Sequence, residues 1–222
     1  KFGDYQKTVI RNSLLLANMS LLEVLFPKIA DSADFVVPEW KNPHEPWSIL
    51  GGGEFGLISQ IVRITGSEDG VYIDPSAIIG DFVEIEGPCF IGPNATVKHS
   101  ALLRKGSWIC EGATVGHSSE VKNSILLPDS KAPHFNYVGD SVVGFGANLG
   151  AGVKLSNVRN DRRGVFVSLD GGGRLETGLN KLGAMIGDGS QIGCNTVTNP
   201  GAMIAPYSQI GPNETITGWF RS

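Results

Sequence analysis

Arg104 and Lys122 lie 18 residues apart, and each directly follows an aliphatic residue, Leu103 and Val121. Two cations held one above the other repel unless an anion sits close by. A phosphate suits such a pair, because arginine offers a planar fork and lysine a point charge. Two solvated surface charges are the plainer alternative. His134 stands in the stretch Ser130-Lys131-Ala132-Pro133-His134-Phe135-Asn136-Tyr137-Val138-Gly139-Asp140. With an unperturbed pKa of about 6.5, histidine is the natural general base near neutral pH. A lone histidine is more often structural, but the polar groups around this one favour chemistry. His99 and His117 are also 18 apart. They raise the question of zinc, which needs three protein ligands at a catalytic site. The third would have to come from His134 or from another subunit, and the expectation is no metal.

These spacings matter because of the elements that must carry them. Ile73, Ile79, Ile85, Ile91, Val97, Leu103, Ile109, Val115, Val121 and Leu127 recur every six residues. Two residues before most of them stands a small side chain: Ala77, Cys89, Ala95, Ala101, Ser107, Ala113 and Ser119. The beat stumbles near Pro133, returns at Val143, Leu149 and Leu155, and resumes at Ile186, Ile192, Ile204, Ile210 and Ile216. Neither a helix nor a simple strand repeats every six residues. A short fixed period marks a solenoid, and a hexapeptide period a parallel β-helix. Three hexapeptides close one triangular turn, so residues 18 apart should stack, roughly 4.8 Å from strand to strand.

The remaining sequence frames this coil, which is expected over residues 72–222. Residues 1–71 form an N-terminal helical segment and connector. Leu14, Leu15, Leu16, Met19, Leu21, Leu22, Leu25 and Phe26 give the helical part a broad apolar face. The segment could cap the coil's open end, as solenoids require, or dock a partner. Gly51-Gly52-Gly53 lacks the context and the lysine of a phosphate loop and reads as a turn. Residues 157–184 break the period and read as a β-hairpin inserted as a loop out of the solenoid. The net charge of −4 gives no reason to expect nucleic acid. Three cysteines without C-x-x-C spacing fit a reducing cytosol, so a cytoplasmic location is expected. No apolar run is long enough to predict a membrane span.

The stretch Ser130–Val153, SKAPHFNYVGDSVVGFGANLGAGV, closely resembles the acetyltransferase half of the bifunctional enzymes that join glucosamine-1-phosphate acetyltransferase to N-acetylglucosamine-1-phosphate uridyltransferase, the archaeal type above all. Gly87–Gly92, Glu120–Ile125 and Lys181–Asp188 match as well, and the similarity spans roughly residues 72–217. The resemblance implies an all-β solenoid of the left-handed parallel β-helix type, working as a homotrimer whose sites are lined by more than one subunit. It implies Arg104 and Lys122 as sugar-phosphate ligands, Lys181 as a second phosphate-side lysine, and His134 as the catalytic base. Tyr137, Asn148 and Asn157 would hold the sugar and the reacting amine, with Asn157 beside the chemistry. The Ala151 N–H would lie near the thioester carbonyl of acetyl-CoA. Cys194 and Pro212 fall in the coenzyme A groove.

Some positions depart from that pattern. Val153 replaces the usual threonine, Pro212 lacks a backbone donor, and only Arg221 is at hand for a basic C-terminal contact to coenzyme A. No pyrophosphorylase signature precedes the coil, so no uridyltransferase activity is expected. The activity implied is acetyl-CoA-dependent N-acetylation of an amino-sugar 1-phosphate. The alternatives are a nucleotide-linked amino-sugar acceptor, a non-catalytic sugar-phosphate-binding homologue, or a zinc lyase.

Overall fold

A computed structural model describes residues 19–222. The apolar positions Leu14, Leu15 and Leu16 fall outside the described residues. From Val71 onward, strands of two to four residues alternate with corners, and three parallel sheets result. Face A has eight strands in the order in which the coil rises, and faces B and C have seven each. The coil is a left-handed parallel β-helix. Corners turn on residues in the left-handed region, such as Asn123 and Asp140 with φ of 44° and 47°. Asn and Asp tolerate that conformation because their short polar side chains bond locally.

Aliphatic residues and their small partners two positions earlier both point inward, as strand alternation requires. Ile91, Val97, Leu103, Ile109, Val115 and Val121 are fully buried in the coil's interior, together with Cys89, Ala95, Ala101 and Ala113. The buried hydroxyl of Ser107 donates to a corner carbonyl, that of Arg104, at 2.6 Å. The beat departs from expectation at Leu127. Leu126, not Leu127, pairs with Ile109 and fills the interior, whereas Leu127 faces outward from face A. The turn is one residue short there, and the next is short as well, since Val121 pairs with Val138 and Val138 with Leu155.

From Cys89 to Ile204 the strands of face A are buried on both sides. Its outer surface carries Phe90, Trp108, Ile125, Leu127, Val142, Met185 and Met203, and the N-terminal segment lies along it. That segment comprises helix α1 (Leu21–Leu25), 3₁₀ turns at Pro27–Asp34 and Pro46–Leu50, and helix α2 (Leu57–Thr65). A capping box between Ser20 and Glu23 starts α1. Trp47, Leu57 and Ile61 are fully buried against face A. The Asp188 carboxylate accepts the Lys28 N–H at 3.0 Å and the Phe145 N–H at 2.9 Å, which ties the segment to the coil. The described part of the N-terminal segment thus covers one side of the solenoid rather than capping its end. The first turn keeps Ile73, Ile78 and Ile79 exposed.

Candidate active site

The corner between faces C and A gathers most of the residues expected on the acceptor side. Arg104 and Lys122 follow Leu103 and Val121, which are paired in register, so the two cations stack as their spacing predicts. They do not await an external anion. Arg104 pairs with Glu86 at 3.3 Å and with Glu120 at 3.0 Å. Both carboxylates hold its guanidinium above the ordinary range, Glu120 the more strongly. Lys122 reaches Asp140 at 3.4 Å, and Asp140 is 4% exposed. Asp140 also accepts from the Asn123 side-chain amide at 2.8 Å and from that of Asn157. The Asn123 amide donates in addition to the Leu50 carbonyl at 2.9 Å, so the N-terminal layer braces this corner.

Tyr137 and Asn157 complete the cluster. A Cβ on Gly139 would come within 2.6 Å of the Tyr137 hydroxyl and 2.8 Å of the Asn157 amide. Only glycine lets these two groups close over the strand. Partial burial raises the Tyr137 hydroxyl pKa, and the Glu120 carboxylate raises it further. The Leu182 N–H donates to the Asn157 carbonyl at 3.0 Å where the insertion rejoins the coil, which brings the exposed Lys181 to the same corner. The three carboxylates were missed in the sequence. Glu86 and Asp140 stand 18 residues before Arg104 and after Lys122, and that spacing was the available signal.

The residues expected on the donor side occupy the opposite corner of face C, between faces B and C. The Gly152 N–H bonds the His134 carbonyl at 2.9 Å, the Asn195 N–H bonds that of Ala151 at 2.8 Å, and the Asn213 N–H bonds that of Cys194 at 2.8 Å. His134, Ala151, Cys194 and Pro212 therefore form one column, a strand spacing apart. His134 is exposed, and its ring makes no hydrogen bond among the described residues. The Ala151 N–H likewise donates to no group there. His134 pairs in register with His117, which the short turn brings about. The rings of His99 and His117 stack at 5.3 Å, and Phe135 takes the next place, 5.2 Å from His117. No cluster of three metal-ligating side chains occurs among the described residues.

Two expected site features lie elsewhere. Asn148 is on face B, paired with Lys131 and Gln191, so it is turned away from Lys122 and Tyr137. The hairpin of the insertion, Phe166–Ser168 against Arg174–Glu176, does not stand out from the coil as a free loop. Val165 and Val167 are buried with Met185 and Met203, which lays the hairpin over the lower part of face A.

Residues 85–168 match the GMPPB C-terminal domain family. The chain is 34% identical over 191 residues to a bifunctional sugar-1-phosphate nucleotidylyltransferase/acetyltransferase of Sulfurisphaera tokodaii, covering 80% of this chain and 46% of that protein. It is 33% identical over 187 residues to the bifunctional protein GlmU of Methanococcus vannielii, covering 78% and 43%. It therefore spans about half the length of these curated relatives. The uncharacterized acetyltransferase YaiX of Escherichia coli is 35% identical over 177 residues, covering 72% of this chain and 75% of that protein. The chain belongs to the hexapeptide-repeat acetyltransferases, the family of the acetyltransferase half of the bifunctional sugar-1-phosphate enzymes.

Proposed function

We propose that the chain transfers an acetyl group from acetyl-CoA to the amine of an amino-sugar 1-phosphate. The observation that carries this reading is the His134–Ala151 step. Among the described residues, a histidine ring without a hydrogen-bond partner stands one strand above a backbone N–H without one, in the column that continues through Cys194 and Pro212. His134 takes a proton from the attacking amine. The Ala151 N–H stabilises the oxygen that gains charge as the amine adds to the thioester carbonyl. Collapse of that adduct releases the coenzyme A thiolate, which leaves with a proton. Arg104, Lys122 and Lys181 hold the phosphate, while Tyr137 and Asn157 orient the sugar. Binding of a phosphate requires Arg104 and Lys122 to divide their N–H groups between their present carboxylates and the ligand. Small residues at Ala151 and Cys194 leave room along the column for the pantetheine arm. No metal is required.

Two copies complete the site in this reading. His134 and Lys122 sit at opposite corners of face C, on the order of 15 Å apart at strand rise. Asn148 looks out from a different face, so a homotrimer is proposed in which a neighbouring copy closes the gap. The test is coenzyme A release from acetyl-CoA with glucosamine-1-phosphate, and glucosamine as control. Turnover should need the phosphate and should fall about 100-fold or more in His134→Ala. An unchanged rate in that variant eliminates the general base.

A further inference from the structure

The insertion builds a second basic cavity on the same file of residues as the acceptor corner. The cavity, about 540 Å³, is lined by Arg159, Asp161, Phe166, Arg174, Asn199 and Thr217 among others. Its floor belongs to the coil. Asn199 and Thr217 occupy the corner position that Arg104 and Lys122 occupy higher up, and the Asn199 amide donates to the Thr217 hydroxyl at 2.7 Å. Its wall is the hairpin. Gly201 and Gly218 sit where a Cβ would strike the Phe166 carbonyl and the Ser168 hydroxyl, so the hairpin backbone lies directly on the coil.

Two guanidinium groups stack on the Phe166 ring, Arg174 at 4.4 Å and Arg159 at 5.0 Å from its centroid. Arg174 is diagonal to Phe166 across the hairpin, which is how the contact arises. Asp161 holds Arg159 through two contacts of 2.9 and 2.6 Å and also pairs with Arg163 at 3.0 Å. Glu176 adds a second carboxylate nearby. Arg174 pairs with no carboxylate among the described residues, so its charge is free for a ligand. A stacked guanidinium keeps its in-plane N–H groups for phosphate oxygens.

Three strand steps separate Lys122 from Asn199 along the file, through the levels of Gly139 and Ser156, roughly 14 Å. A nucleotide attached to the sugar phosphate spans that kind of distance. We infer that this cavity takes the nucleotide end of a nucleoside-diphosphate-linked amino sugar, with Arg174 and Arg159 on phosphate oxygens and Asn199 and Thr217 on the nucleoside. The inference rests on reading the corner at Lys122 as the acceptor site.

The test titrates UDP, GDP and dTDP separately into the full chain by calorimetry. At least one should bind, and Arg174→Ala should weaken it about tenfold to a hundredfold. Arg174→Lys, which keeps the charge and loses the fork, should fall between. Binding by none of the three overturns the inference, as does equal binding in Arg174→Ala. A raised KM for acetyl-CoA in Arg174→Ala, with nucleotide binding unchanged, assigns the cavity to the donor and also overturns it. The two readings fail separately. If Lys122→Ala cripples glucosamine-1-phosphate turnover and no nucleotide binds, the acceptor corner stands and the cavity falls. If nucleotide binding needs Arg174 while Lys122→Ala leaves turnover intact, the cavity binds nucleotide but the acceptor corner falls, and the assignment to a nucleotide-linked amino sugar falls with it.

Discussion

Asp140→Asn tests whether the acceptor corner is held by one buried carboxylate. Asp140 faces three donors: the Asn123 amide at 2.8 Å, the Asn157 amide, and the Lys122 ammonium at 3.4 Å. Asparagine keeps the shape but supplies one oxygen and one NH₂. In its better orientation the oxygen stays with Asn157 and Lys122, and the NH₂ is turned on the Asn123 amide. One hydrogen bond to a charged acceptor is lost, worth about 1.5–3 kcal/mol. Lys122, whose side chain is 24% exposed, loses an ion pair worth about 1 kcal/mol after solvent screening. The sum is about 3 kcal/mol, which for a domain of this size lowers Tm by about 6–12 °C.

Thermal melts at fixed protein concentration measure that loss, and steady-state kinetics measure its consequence. With Asn123 released and Lys122 left without an opposite charge, KM for the acceptor should rise more than kcat falls. A double-mutant cycle with Lys122→Ala should return a coupling near 1 kcal/mol, because each change removes the same pair. A Tm within about 2 °C of the wild type, with acceptor KM unchanged, would refute the argument that Asp140 organises this corner.

Other perturbations probe separate parts of the molecule. Cys194 is exposed, whereas Cys89 and Cys110 are buried. Burial pushes the Cys89 thiol up to about 11 and the Cys110 thiol up further still. A thiol reagent at neutral pH should therefore modify Cys194 alone in the native chain, and coenzyme A should slow that reaction if the His134–Pro212 column is the donor groove. Fast labelling of Cys89 or Cys110 before unfolding contradicts the burial argument. Burial also raises the Asp188 carboxyl above its ordinary range, against the two backbone N–H groups that favour its ionised form. Between about pH 3.9 and that raised value the folded chain holds the proton more firmly than the unfolded chain, so stability falls as pH rises through the window. The stability difference between wild type and Asp188→Asn should shrink over that range in urea titrations, and a widening difference would contradict the sign. Gly139→Ala should leave the fold intact and raise acceptor KM, since the new Cβ displaces the Tyr137 hydroxyl and the Asn157 amide; an unaltered KM removes both from the sugar.

The solenoid was legible because its interior demands an aliphatic residue at each inward position, and six-residue spacing survives without tertiary information. The register error at Leu127 has a physical source. Face A is apolar on both sides, so Ile125, Leu126 and Leu127 read as a continuous run in which inward and outward cannot be separated. What makes face A apolar outside is the N-terminal layer, with Trp47, Leu57 and Ile61 laid against it, and nothing in a hexapeptide count shows which face a preceding segment will choose. The cation stack was legible for the same reason as the coil, but its carboxylates were not. Asp140 stands 18 residues after Lys122, but the short turn pairs Lys122 with Gly139, and the ion pair is made from the neighbouring corner position. The docking of the hairpin depends on Gly201 and Gly218, two corner glycines that look like any others until Phe166 and Ser168 approach them.

Covering face A has a consequence for where the chemistry can be completed. A triangular coil offers three faces to solvent or to partners, and here one is sealed by the N-terminal segment above and the hairpin below. The proposed trimer must therefore form through faces B and C and the corner between them. That corner carries His134 and a ring ladder running from Phe82 through His99 and His117 to Phe135. The two ends of the ladder, Phe82 and Phe135, are 83% and 57% exposed. Large aromatic rings held outward beside a candidate catalytic base are costly in water and well suited to burial against a neighbouring copy. On this argument, the contact that assembles the oligomer and the contact that brings Asn148 of one copy toward Lys122 of another are the same one. Phe135→Ser should then weaken assembly and turnover together, in proportion, as protein concentration is lowered. Loss of turnover with the oligomer intact at every concentration would separate the two.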